Sequence, residues 1–130
     1  MKIVAIKTDN PTAELYLYED YHQLDIISWQ AHRQLADTIH YKIKTILSDN
    51  NCNLEDINGL VVFAGPGSFT GLRIGASVFN ALAYALDIPI VGTSGDDWLN
   101  IGVLMIIEHK NDKIVIPQYG GHINITAPKR

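Results

Sequence analysis

A layered α/β domain is what this sequence predicts, and three observations carry the expectation. Leu60-Val61-Val62-Phe63-Ala64 is an unbroken apolar run followed at once by Gly65-Pro66-Gly67. That is the pattern of a strand covered on both faces which then turns sharply into a helix. Before residue 30, three short β-rich segments are separated by turn residues. After it, two long stretches repeat their apolar residues at helical spacing. With 130 residues the chain has the length of one domain with a modest core.

Taken in order, Lys2-Ile3-Val4-Ala5-Ile6-Lys7 is compact and β-branched, and reads as a strand. Thr8-Asp9-Asn10-Pro11 is turn chemistry. Ala13 to Tyr18 alternates, as a half-exposed strand does, and residues 22–29 give a third strand with Leu24, Ile26 and Trp29 apolar. Short turns between successive strands make an antiparallel meander. A helix follows from about Arg33 to Ser48, with Leu35, Ile39, Ile43, Ile46 and Leu47 on one buried stripe. Arg33, Asp37, Tyr41 and Lys44 lie on another side. Asp49-Asn50-Asn51 ends it, and Asn53 is placed to cap a single turn, Leu54 to Ile57.

The second long helix is expected from Gly71 to Leu86, capped by Ser68 or Thr70. Leu72, Ala76, Phe79, Leu82, Ala83 and Leu86 form its core side. Ile74, Ser77, Ala81 and Ala85 form a second side, and no charged residue occurs between Arg73 and Asp87. A helix without a charged side is normally covered on more than one face. Either the long helices cover one another, or one face meets another chain. Ile90-Val91-Gly92 is a short strand. Ser94 or Asp96 would cap a last helix bearing Trp98, Leu99, Val103, Ile106 and Ile107. Lys113 to Ile116 reads as a further short strand, and Pro117 to Gly121 ends regular structure.

Composition excludes several function classes. The net charge of -4 gives no basic footprint for nucleic acid. The single cysteine, Cys52, rules out an internal disulfide framework and has no neighbouring base to activate it. Met1 to Ile6 is too short for a signal peptide, and Ile101 to Ile107 is too short to span a membrane. A soluble, cytoplasmic protein is expected. The five histidines show no metal-ligand spacing, His32 and His40 being eight residues apart, so no metal or cofactor is expected.

The candidate site is the loop Gly65-Pro66-Gly67-Ser68-Phe69-Thr70-Gly71 with Arg73 in the following turn. Two readings compete. Glycines before a helix N-terminus can cradle an anion. They can equally form a tight corner that lets the helix pack closely on the sheet. The phosphate-loop lysine is absent, the dinucleotide pattern has Gly71 one residue late, and no serine-hydrolase elbow surrounds Ser68.

The run Gly65-Pro66-Gly67-Ser68-Phe69-Thr70-Gly71-Leu72-Arg73-Ile74-Gly75 resembles the signature of the TsaB family, which takes part in making threonylcarbamoyladenosine on transfer RNA. The resemblance continues through Pro89-Ile90-Val91-Gly92-Thr93-Ser94 and covers roughly the first hundred residues. It implies a ribonuclease H-like domain, half of an actin-like ATPase fold, with a mixed five-stranded sheet and helices packed on it. The family's usual second lobe would be largely missing, leaving a shortened member with residues 1–112 as the lobe and residues 113–130 as its tail. Pro117-Gln118-Tyr119 is similar to a pattern in the tail of longer members.

The resemblance further implies a non-catalytic scaffold. Its partner would be the catalytic TsaD subunit, which transfers threonylcarbamoyl to N6 of adenosine 37, and a TsaE-type ATPase would join through the complex. Transfer RNA would be met only indirectly. The family's long helices face the partner, which maps onto His32, Leu35, Ile74, Ser77, Val78, Ala81 and Ala85 here. Alone, the chain would form a homodimer through the same helices. One departure concerns chemistry. The family has an acid at the end of the first strand, where this chain has Lys7-Thr8-Asp9, and Asp9 is expected to point away if the strand continues. Lysine cannot ligate a cation. The alternative reading is a small ATP-binding phosphotransferase with the glycine loop as phosphate cradle, or a stand-alone dimeric structural protein.

Overall fold

The computed structural model describes residues 1–118. Strand β1 (Lys2–Lys7) pairs antiparallel with β2 (Thr12–Glu19), and β2 pairs antiparallel with β3 (His22–Gln30). Strand β4 (Ile57–Phe63) lies parallel to β1, and β5 (Ile90–Thr93) lies parallel to β4. The sheet order is therefore β3-β2-β1-β4-β5, mixed and five-stranded as expected.

Helices α1 (Leu35–Asp49) and α2 (Phe69–Leu86) cover one face, and α3 (Trp98–Ile107) covers part of the other. This explains why the central strands lack alternation. In β1, Val4 and Ile6 point to the α1–α2 layer while Ile3 and Ala5 point to α3. In β4, Leu60 and Val62 face the first layer and Val61 and Phe63 the second. The edge strand β3 is covered on one face only: Ile27 and Trp29 pack on the α1 side, while Leu24 and Ile26 on the other remain partly exposed.

The five residues of the predicted α1 stripe are the buried residues of that helix. One 3-10 turn, His32–Gln34, precedes it. Ser68 caps α2, its Oγ accepting from the Gly71 N–H at 3.5 Å, while Thr70 lies inside the first turn. Asp97 stands at the start of α3, where Ser94 or Asp96 was expected, and its carboxylate accepts from the Asn100 side chain at 2.9 Å.

The expected strand Lys113–Ile116 is instead an irregular strap along β5. Side chains take the place of a ladder there. Asn111 Oδ1 accepts from the Ile90 N–H at 3.1 Å and Asp112 Oδ2 from the Gly92 N–H at 2.9 Å. The Asp112 N–H donates to the Ile90 carbonyl at 2.8 Å. Asn80 on α2 then satisfies both backbone groups of Val115, accepting at 2.8 Å and donating at 3.0 Å. With Lys113 at positive φ as well, no strand register can form. The rest of the tail, from Tyr119 on, lies outside the described residues.

Candidate functional site

The glycine loop packs against the end of β1. That strand stops at Lys7, so Asp9 does not point away as the continued strand would have required. The Ser68 N–H donates to the Asp9 carbonyl at 3.0 Å, and a Cβ on Gly67 would lie 2.5 Å from Asp9 Cβ. Thr8 is buried beneath α2 and its Oγ1 donates to the Gly71 carbonyl at 2.8 Å. A Cβ on Gly71 would overlap the Thr8 carbonyl oxygen, and one on Gly75 would overlap Thr8 Oγ1. The Gly71-x-x-x-Gly75 spacing thus puts two bare backbone positions, one helical turn apart, over a single threonine. Packing accounts for these glycines without a ligand.

Two of the charges beside the loop pair with one another. Lys7 Nζ lies 2.7 Å from Asp9 Oδ1 and 4.6 Å from the centre of the Phe63 ring. Position 7 therefore carries an ammonium that pairs with the nearest carboxylate. Arg73 is exposed and rests over the Phe69 ring at 5.8 Å. Among the described residues, no group of three or more His, Cys, Asp or Glu side chains is placed to hold a metal ion. No helix among them is long and apolar enough to cross a membrane.

The expected partner-facing residues divide into two sets. Leu35 is 5% exposed and belongs to the core, where it covers β2 with the rest of the α1 stripe, so it contributes nothing to a surface. His32 falls in the 3-10 turn before α1. On α2, Ser77, Ala81 and Ala85 are exposed, and Ile74 and Val78 are half-buried. The long helices do not seal one another. Between them runs a groove of about 1000 Å³. Ile43 and Leu47 of α1 and Val78 and Leu82 of α2 contribute its apolar lining, Ala81 and Ala85 a low α2 wall. Leu54 and Glu55, in the turn before β4, line it as well. Cys52 lines the same groove, half-buried, with its thiol donating to the Asn50 carbonyl at 3.3 Å.

One residue on these helices, Tyr84, escaped the sequence reading, whereas Tyr41 lies on the outer side of α1 as expected. Tyr84 is 91% exposed and Tyr41 is 72% exposed. The signal for Tyr84 was its spacing of seven from Ser77 and three from Ala81, which places it beside the small residues. Remote from this surface, Glu19 is held down to about 2 by the Lys2 ammonium and, second, by the Met1 amino group. Burial, together with a 2.6 Å hydrogen bond to Glu14, pushes the Tyr16 hydroxyl up.

This strand order, with helices on both faces of the sheet, defines the class: a ribonuclease H-like domain. RuvC from Thermus thermophilus shares it with a TM-score of 0.52 at 9% identity, over 92% of this chain and 86% of that one. YeaZ from Pseudomonas aeruginosa matches with a TM-score of 0.67 at 25% identity, over 72% of this chain and 43% of that one. The family described as TsaD, tRNA N6-adenosine threonylcarbamoyltransferase, matches residues 26–121. The tRNA threonylcarbamoyladenosine biosynthesis protein TsaB of Escherichia coli K12 is 33% identical over 99 residues, 72% of this chain and 40% of that protein. The chain belongs to the TsaB family, within the wider group that includes TsaD. It spans about 40% of the length of that curated relative.

Proposed function

We propose that this chain is a non-catalytic scaffold in the threonylcarbamoyladenosine pathway, which binds and supports a TsaD-type transferase through α1 and α2. A TsaE-type ATPase joins through that complex, and transfer RNA is met through the partner. One observation carries the reading: the α2 side formed by Ile74, Ser77, Ala81 and Ala85 bears no charge and is left open to solvent. Small side chains let another helix approach closely. The Lys7–Asp9 pair weighs against the phosphotransferase alternative, because the carboxylate nearest the loop is already neutralised.

The test is co-purification with the TsaD-type protein of the same cell. Ala81 is exposed, so Ala81→Glu is expected to abolish association while the circular dichroism spectrum and melting temperature stay those of the parent. Retained association would sink the assignment of this face.

A further inference from the structure

We infer that residues 111–117 are a guard on the β5 edge of the sheet, latched by Asn80, and that this guard keeps a second copy of the chain from pairing with β5. The inference is independent of the partner reading given above. β5 has β4 on one side, and among the described residues no strand lies on the other. The Leu60 N–H donates to the Pro89 carbonyl at 3.0 Å and the Ala64 N–H to the Thr93 carbonyl at 2.7 Å. Alternate residues of a strand turn their backbone groups opposite ways, so Ile90 and Gly92 present theirs outward. A row of unpaired groups of this kind is a template for another strand. The strap intercepts it with side chains. Asn111 Oδ1 and Asp112 Oδ2 accept from the Ile90 and Gly92 N–H groups, and the Asp112 N–H donates to the Ile90 carbonyl. Asp112 thereby sets a carboxylate on the edge, with exposed Lys113 beside it. Charges on an edge oppose strand addition.

The run Lys113-Ile114-Val115-Ile116 has the composition to join this edge, and its local geometry prevents it. Lys113 has a φ of 69°, and the Ile114 N–H turns back to the Asp112 carbonyl at 2.8 Å. Asn80 on α2 holds both backbone groups of Val115, so neither is offered to β5. The Val115 side chain lies over Gly92, where an added Cβ would come within 2.7 Å of its Cγ1. Ile114 and Ile116 are left 65% and 79% exposed. Losing the latch frees the Ile90 and Gly92 groups together with this apolar run. A second copy is the occupant such an edge takes, because about a twofold axis the two β5 edges meet in antiparallel order and each supplies the groups the other lacks.

The experiment compares the full chain with Asp112→Ala and with the double variant Asn80→Ala/Asp112→Ala. Self-association is measured by sedimentation over a range of concentrations, and amide hydrogen exchange is read at Ile90 and Gly92. Leu35→Ala, a core truncation under α1, controls for general destabilisation. In dilute double variant the Gly92 amide is expected to exchange about tenfold faster than in the parent. At high concentration it should be protected again, as a folded species forms that self-associates about tenfold more tightly than the parent. Asp112 is exposed, so Asp112→Ala keeps the fold even if the double variant does not, and it should show both changes to a smaller degree. Leu35→Ala should show neither. Self-association of Leu35→Ala equal to that of the edge variants would make the effect one of unfolding and overturn the inference. So would edge variants that associate no more tightly than the parent, or that associate while Gly92 stays unprotected.

Discussion

Substituting Gly75→Ala separates a packing corner from a ligand cradle. Within an α-helix the change should help, because alanine exceeds glycine by about 1 kcal/mol in propensity. Here the new Cβ would overlap Thr8 Oγ1 and lie 3.4 Å from both Thr8 Cβ and Cγ2. Thr8 cannot swing away easily: it is 2% exposed, β-branched, and tied to the Gly71 carbonyl. Overpacking of this kind costs about 1–3 kcal/mol. The net expectation is a loss of about 1 kcal/mol in the parent. In a Thr8→Ala background the obstructing atoms are gone, so the same substitution should stabilise by up to about 1 kcal/mol. The coupling between the two sites is then about 2 kcal/mol, well above the scatter for independent positions. Urea unfolding of the parent, both single variants and the double variant measures it. Gly71→Ala supplies an internal contrast, because its Cβ would overlap the Thr8 carbonyl oxygen, which Thr8→Ala leaves in place. Additive losses for Thr8 and Gly75, within about 0.5 kcal/mol, would refute the packing account of the motif.

Other expectations follow from single contacts. Asn80→Ala removes two hydrogen bonds to Val115 and should lower stability by about 2 kcal/mol in urea unfolding. Leu35→Ala should cost about 2–4 kcal/mol of folding stability, as a core residue does, whatever its effect on association. Tyr84→Ala should leave stability within about 0.5 kcal/mol of the parent yet weaken capture of the TsaD-type protein about tenfold. The Glu19 carboxyl is depressed to about 2, chiefly by Lys2. Its contribution is therefore present above the ordinary glutamate range and is lost as pH falls from about 4.5 towards 2. Lys2→Gln should raise the Glu19 midpoint in an NMR titration and flatten the acid limb of stability.

What the sequence made legible were features with one dominant local cause. The α1 stripe follows from helical spacing, and the unbroken Leu60–Phe63 run follows from cover on both faces of the sheet. The meander follows from three β-rich runs and short turns. Features set by distant partners were not legible. Nothing local reveals that Thr8 sits under Gly71 and Gly75, sixty-odd residues away, or that Asp9 closes on Gly67. Lys113–Ile116 has strand composition, but Asn80 and the side chains of Asn111 and Asp112 take the groups a strand would pair. Leu35 belonged to two expectations at once, core stripe and partner face, and only its burial separates them.

The two ends of α2 differ in what they leave unsatisfied, and that difference supports the proposed partner face. At the N-terminal end the polar groups find one another: Lys7 with Asp9, Thr8 with Gly71, Ser68 with the Asp9 carbonyl. Farther along, Ile74, Val78, Ala81, Tyr84 and Ala85 keep apolar surface in water. An interface of ordinary size removes about 800 Å² per partner, somewhat over half of it apolar. At about 25 cal/mol per Å² that apolar share is worth roughly 20 kcal/mol gross for the pair. Association costs on the order of 4–15 kcal/mol before any side chain is ordered. Cover of the whole α1–α2 face can meet that cost, whereas a small ligand confined to one end of the groove has far less area to bury.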